Sequence, residues 1–114
     1  MDNCLFCKII KGDIPANKVY ENEHVLAFRD IDPKAPVHIL VIPKKHIKSI
    51  NDLKSSDKYL AGELILASKI IAKDQGIDSK GFRTIFNTND DGGQTVYHIH
   101  MHIMGGRQMK WPPG

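Results

Sequence analysis

No apolar run in this sequence approaches the roughly 20 residues that a membrane-spanning helix needs. Its polar start, Met1-Asp2-Asn3, lacks the basic and apolar regions of a signal peptide. These absences predict a cytoplasmic protein with no membrane partner. Cysteine is scarce: Cys4 and Cys7 stand alone, too few and too close for a disulfide framework. Metal binding, redox chemistry or two inert thiols remain open for them. Repeats, low-complexity tracts and Gly/Ser/Pro-rich linkers are missing, so the 114 residues read as one domain, 1–114, with room for one compact core. An excess of one charge is also lacking. Lys and Arg number 16 against 13 Asp and Glu, a net +3, which suits a small anionic ligand but not nucleic acid, whose binders carry a clustered basic stripe. The densest basic group, Lys44, Lys45 and Lys48, reads as a solvated face at the end of a strand.

What is present is ordinary for a folded globule: 41% hydrophobic and 25% charged residues. Cys4 to Lys11, with Leu5, Phe6, Ile9 and Ile10, fits a short helix ended by Gly12 and Pro15. Val19 to Arg29, broken by an Asn22-Glu23 turn, and His38 to Ile42 between Pro36 and Pro43 read as strands of an antiparallel meander. A longer helix starts at Ser55 or Ser56 as N-cap, with Asp57 in its first turn. It places Leu60, Leu64, Ala67 and Ile71 on one face and stops at Gly76. Phe82 to Phe86 and Val96 to Met104 supply two more strands, joined by the turn-rich Asn87 to Gln94 segment. Strands, helix, then strands predict an α+β fold. The Trp111-Pro112-Pro113-Gly114 end continues neither helix nor central strand, and a docked, extended tail is expected.

Within Val96 to Met104, Tyr97, Ile99, Met101 and Ile103 alternate with His98, His100 and His102. A strand sends one set to a core and the other to a chemical face. Same-face neighbours lie about 6.6 to 6.8 Å apart, so the imidazoles form a row about 13 Å long. A neutral imidazole is nucleophilic near neutral pH and a neighbouring ring can donate to phosphoryl oxygens, which makes His100, flanked on both sides, the candidate nucleophile. The preceding loop offers donors for the charge of a phosphoryl transition state. Alternating histidines suit a zinc or iron site equally well, and any one of them alone is an ordinary satisfied residue.

The run His98-Ile99-His100-Met101-His102-Ile103-Met104 resembles the His-φ-His-φ-His-φ-φ signature of the histidine triad superfamily, φ being hydrophobic. Gly92-Gly93-Gln94-Thr95-Val96-Tyr97, Gly105-Gly106-Arg107-Gln108-Met109 and the Trp111-Pro112-Pro113-Gly114 tail are similar to its Hint branch, the histidine triad nucleotide-binding proteins. So are Ile14-Pro15-Ala16, Ala35-Pro36-Val37-His38 and Val41-Ile42-Pro43-Lys44-Lys45-His46. The resemblance implies a five-stranded antiparallel sheet with two helices, dimerising into a ten-stranded sheet. It implies a hydrolase of purine nucleoside phosphoramidates and aminoacyl-adenylate-like anhydrides that releases AMP or GMP through a nucleotidyl-histidine. Matching positions make His100 the nucleophile, His102 and Thr95 phosphate contacts within a Gly93-Gln94-Thr95 loop, and His38 a supporting histidine. Asn87 falls near phosphate and ribose, Asp30 on the ribose hydroxyls, and Phe6, Ile9, Ile14, Phe28 and Ile31 in the base pocket. Read from the residues alone, Asp30 is also a turn residue before Pro33, and the apolar five are core. A nucleotide-binding or protein-interaction module with vestigial hydrolysis is the reading from another class, and dinucleoside polyphosphate hydrolysis, as in the Fhit branch, is a third.

Cys4-x-x-Cys7 departs from the animal Hint proteins and resembles many bacterial members, in which Cys4, Cys7, His46 and His98 match the ligands of a structural zinc. Tetrahedral Zn²⁺ accepts a closed Cys₂His₂ shell. A thioredoxin-like redox pair lacks its βαβ context here. With His98 on the metal, His100 and His102 lie two and four residues farther along, beyond a direct metal bond.

Overall fold

The computed structural model describes residues 3–114; Met1 and Asp2, read above as part of a polar start, lie outside them. Helix α1 (Leu5–Lys11) leads into strands β1 (Lys18–Glu21), β2 (Val25–Arg29) and β3 (Val37–Pro43). Helix α2 (Lys58–Asp74) and strand β4 (Phe82–Phe86) follow, then the one-turn helix α3 (Asn89–Gly92) and strand β5 (Met101–Gly105). The five strands form one antiparallel sheet in the order β1-β2-β3-β5-β4. The expected meander is its first half. β5 then inserts between β3 and β4, and the α+β, five-stranded expectation holds.

Period-2 alternation divides the core. Val25, Ala27, Ile39, Val41, Met101 and Ile103 face α2, where they meet Leu64, Ala67 and Ile71. The intervening residues Leu26, Phe28, Leu40 and Ile42 face the other way and are covered by Phe6 and Ile9 of α1. β3 pairs with β5 so that Leu40 lies opposite His102 and His38 opposite Met104. The histidines of the chemical face therefore share a side of the sheet with α1.

Turn chemistry follows the sequence at Asn22, whose Oδ1 accepts from the backbone N–H groups of His24 and Val25 at 2.8 and 2.9 Å. α1 ends as expected on Gly12, in the left-handed region at φ 86°.

Four expectations are corrected. Neither Ser55 nor Ser56 caps α2: Ser55–Asp57 forms a 3₁₀ turn, and the Asp57 carboxylate accepts from Lys54 N at 2.9 Å and Lys45 Nζ at 2.7 Å. The fifth strand begins at Met101 rather than Val96, because Ile99 N donates outside the sheet to Ile47 O at 2.7 Å and Val96 to His100 leave the ladder. Tyr97 accordingly sits at the surface, its hydroxyl donating to Asp90 at 3.3 Å, instead of joining Ile99, Met101 and Ile103 in the core. The tail is neither helix nor strand but bends at Trp111 and Pro112 rather than staying extended, and Arg83 holds it by donating to Lys110 O at 3.0 Å and lying 5.9 Å from the Trp111 ring centroid. Trp111 itself stays exposed.

Candidate active site and metal centre

Leaving the ladder gives His98 and His100 freedom that a paired strand would deny them. His98 is fully buried, and its Nε2 lies 2.8 Å from the carbonyl of Pro43, the last residue of β3. A carbonyl only accepts, so the ring proton is on Nε2 and the Nδ1 lone pair is free. That Nδ1 lies 3.3 Å from Cys4 Sγ, 3.6 Å from Cys7 Sγ and 3.1 Å from His46 Nδ1. Cys7 Sγ is in turn 3.4 Å from His46 Nδ1, and the four donor atoms all lie within 4.8 Å of one another. Metal bonds of about 2.0 to 2.3 Å imply tetrahedral edges of about 3.3 to 3.8 Å, close to this set. The chemistry agrees. Burial, with Cys4 beside it, pushes the Cys7 thiol up, and burial pushes both imidazoles down, His98 to about 4. The two depressed imidazoles are already in the neutral, ligating form, and a divalent cation would bind the sulfurs as thiolates by displacing their protons. Sequence spacing brought the four together only through the resemblance; the fold brings them together in space.

His100 faces a different way. Its Nδ1 donates to the carbonyl of His98 at 2.9 Å, which leaves Nε2 as the free lone pair. Burial depresses its basicity, so the ring is neutral near pH 7. The His102 ring lies with its centroid 5.0 Å from that of His100, closer than the spacing expected of a regular strand. His38, on β3, accepts at Nδ1 from Lys34 N at 3.0 Å. The proton of its neutral ring is therefore on Nε2, 2.9 Å from His102 Nδ1. Donation from His38 to His102 fixes the tautomer of His102 in turn, with a proton on Nε2. Burial holds both rings below the usual imidazole range, His102 at about 4, although the Asp30 carboxylate opposes this.

A cleft of about 270 Å³ opens onto these rings. Phe6, Ile9, Ile14, Phe28, Asp30, Ile31, Thr95, His100 and His102 line it, as do Leu5, Pro15, Ala16, Arg29, Leu40 and Val96. Phe6 stands edge-on to His100 with centroids 5.1 Å apart. Phe28 meets Phe6 at 5.5 Å, also edge-on, while Ile31 is fully exposed at the lip. Asp30 closes the turn that the sequence suggested, its Oδ1 accepting from Asp32 N at 2.8 Å, and its Oδ2 lies 3.4 Å from His38 Nε2.

Three expected residues fall outside the lining. Gln94 is buried and occupied: its Oε1 accepts from Asn89 N at 3.0 Å and its Nε2 donates to Lys48 O at 2.7 Å and Val96 O at 3.1 Å. Gly93 takes the left-handed conformation that ends α3, at φ 80°. Asn87 lies against the same turn, its backbone beside Gly92. These residues shape the loop that presents Thr95. The two acceptor carbonyls and the Lys34 amide carried no sequence signal, since any residue supplies them; Pro15 and Ala16 were visible only as part of a motif.

A larger and more open cavity, about 580 Å³, lies against Cys4 and His46 and shares Leu5, Thr95 and Val96 with the cleft. Among the described residues no helix is long and apolar enough to cross a membrane.

The arrangement has relatives. The HIT domain model matches residues 11–109. The 14 kDa zinc-binding protein of Zea mays is 48% identical over 112 residues, spanning 96% of this chain and 87% of that protein. A HIT family hydrolase from Legionella pneumophila Philadelphia 1 superposes with a TM-score of 0.96 at 54% identity, over 98% of this chain and 100% of that one. A histidine triad nucleotide-binding protein from Candida albicans gives a TM-score of 0.83 at 30% identity, over 96% and 83% of the two chains. Sequence match and backbone superposition agree over nearly the whole length, and the chain belongs to the HIT domain family.

Proposed function

We propose that this protein is a purine nucleoside phosphoramidate and aminoacyl-adenylate hydrolase of the Hint branch, acting through a nucleotidyl-histidine on His100 and releasing AMP or GMP. The observation that carries the reading is the 2.9 Å hydrogen bond from His100 Nδ1 to the His98 carbonyl, which turns the Nε2 lone pair of a cleft-lining ring into the nucleophile. Nε2 attacks the α-phosphorus and the bond from phosphorus to the leaving group breaks: a phosphoramidate nitrogen leaves as the amine, taking a proton from solvent water, and an aminoacyl anhydride oxygen leaves as the carboxylate. Water then cleaves the N–P bond, giving the monophosphate and the free imidazole. His102, with its proton on Nε2, and the Thr95 hydroxyl donate to the phosphoryl oxygens as charge develops there. Asp30 takes the ribose hydroxyls, Phe6, Ile9, Ile14, Phe28 and Ile31 enclose the base, and Asn87, outside the lining, acts through the loop that presents Thr95. The neighbours named a hydrolase and a nucleotide-binding protein support this reading.

Cys4, Cys7, His46 and His98 hold a structural zinc in this account, as the name of the Zea mays relative suggests. Cys4, Cys7, His46 and His98 would use all four donors on the metal, which would then serve as a structural cross-link between α1, the loop after β3 and the segment entering β5. Two copies pair along β4, one of the two edge strands of the sheet, to give the ten-stranded dimer. The exposed Leu66 and Ile70 of α2 and Phe82 of β4 support that interface.

The deciding experiment is His100→Ala assayed on an adenosine phosphoramidate. Turnover falls on the order of 10⁴-fold or more while AMP still binds, because binding and covalent attack use different contacts. Hydrolysis at the native rate in that variant refutes the mechanism. AMP binding without turnover of any phosphoramidate or aminoacyl-adenylate by the native chain favours a binding module instead. Faster cleavage of a diadenosine polyphosphate than of the phosphoramidate moves the assignment to the Fhit type.

A further inference from the structure

Helix α1 serves two sites with seven residues. Cys4, its N-cap, and Cys7, in its first turn, reach the metal cluster. Phe6 and Ile9 are buried against Leu26, Phe28, Leu40 and Ile42 and wall the nucleotide cleft. Two turns of helix are not stable alone in water, so α1 depends on what moors it. The backbone bonds at its C-terminal end, from Gly12 to Ile9 O and from Asp13 and Ile14 to Lys8 O, return to α1 itself. The mooring is made by side chains: two sulfurs on one side, two apolar groups on the other.

A second link runs through His98. Its Nδ1 faces the cysteines, while its carbonyl accepts the His100 proton that sets the nucleophile's tautomer. Phe6 stands edge-on to both rings, with centroids 5.9 Å from His98 and 5.1 Å from His100. Whatever fixes His98 and α1 therefore fixes the cleft.

Building on the functional reading above, we propose that the metal centre and the nucleotide cleft are thermodynamically coupled. Metal on Cys4, Cys7, His46 and His98 pins α1 and the His98 backbone, so the purine wall is ordered before nucleotide arrives. Nucleotide held against Phe6 and Ile9 tightens the metal in return. Ordering that the metal has already imposed is ordering that nucleotide binding no longer has to supply. Reciprocity is required: the factor by which zinc strengthens nucleotide binding equals the factor by which nucleotide strengthens zinc binding. Cys4 and Cys7 are positioning residues in this scheme, acting through Phe6 and His100.

The test uses the full chain, loaded with Zn²⁺ or stripped by a chelator. AMP affinity is measured by calorimetry with and without zinc, zinc affinity by competition with a chromophoric chelator with and without AMP, and mobility by amide hydrogen exchange. The expected result is a factor of about ten or more, equal in both directions. Exchange quickens in residues 5–11 of the stripped chain while β2, β3 and β5 stay protected. Phe6→Ala, which leaves all four ligands in place, keeps zinc bound but loses most of the coupling. Factors of one in both directions overturn the proposal, and so does global unfolding of the stripped chain, since the metal then holds the whole fold rather than one helix. If the zinc-loaded chain binds neither AMP nor GMP, the functional reading fails and takes the nucleotide half with it; the exchange of α1 still reports whether metal pins the helix.

Discussion

Two clusters of potential ligands stand on the same face of the sheet, Cys4/Cys7/His46/His98 and Asp30/His38/His102, and distance alone does not tell them apart. In the first, His98 and His46 approach at 3.1 Å; in the second, His38 and His102 approach at 2.9 Å. The difference lies in the next bond outward. His98 gives its proton to the Pro43 carbonyl and keeps a lone pair for a metal, whereas His38 spends its lone pair on the Lys34 amide and must present a proton to His102. The first cluster is built to collect lone pairs, and the second is a relay that ends in a donor. Imidazoles at similar separations thus acquire opposite chemistry from single backbone groups.

The largest effect that sharpens this contrast is removal of the sulfurs. Cys4→Ser/Cys7→Ser lowers bound zinc from about one per chain to near zero and costs several kcal/mol, a fall in Tm on the order of 10 °C or more. Metal analysis and calorimetry read both; an unchanged metal content breaks the comparison. Next comes the relay. His38→Ala leaves zinc content unchanged but lowers kcat/KM by about 10 to 100-fold, because His102 loses the partner that fixes its tautomer. His38→Gln, whose amide both accepts and donates, recovers part of that loss, as steady-state kinetics on a phosphoramidate would show. The smallest effect is on pH dependence. The His102 pKa is pushed from 6.5 down to about 4, so the unfolded chain takes up a proton before the native one does. Protonation thus favours unfolding, and stability declines as pH falls from about 6.5 toward about 4. His102→Gln removes this contribution, and its Tm against pH is correspondingly flatter over that window.

Much of this was legible in the sequence because local pattern and final packing agree. Leu64, Ala67 and Ile71 do turn one face of α2 inward, with Leu60 of the same expected stripe only half-buried; Asn22 does build the first hairpin, and Ile99, Met101 and Ile103 are core. Legibility ended where backbone competes with pattern. Alternation runs unbroken through Val96 to His100, yet the ladder begins only at Met101, because the His98 carbonyl is taken by the His100 ring and the Ile99 amide by Ile47. Gln94 looked like a ligand contact and is consumed by three backbone groups. The acceptors and donors that decide the tautomers are peptide groups of Pro43, His98 and Lys34, and peptide groups leave no trace in residue identity.

The central claim is that these peptide groups fix which nitrogen of each ring carries the proton. Nitrogen-15 NMR of the histidine side chains in the zinc-loaded protein at neutral pH tests it directly. The account predicts neutral His100 with its proton on Nδ1, and His38, His98 and His102 with theirs on Nε2. A His100 resonance showing the proton on Nε2 contradicts it, because that ring would have no lone pair to offer in the cleft.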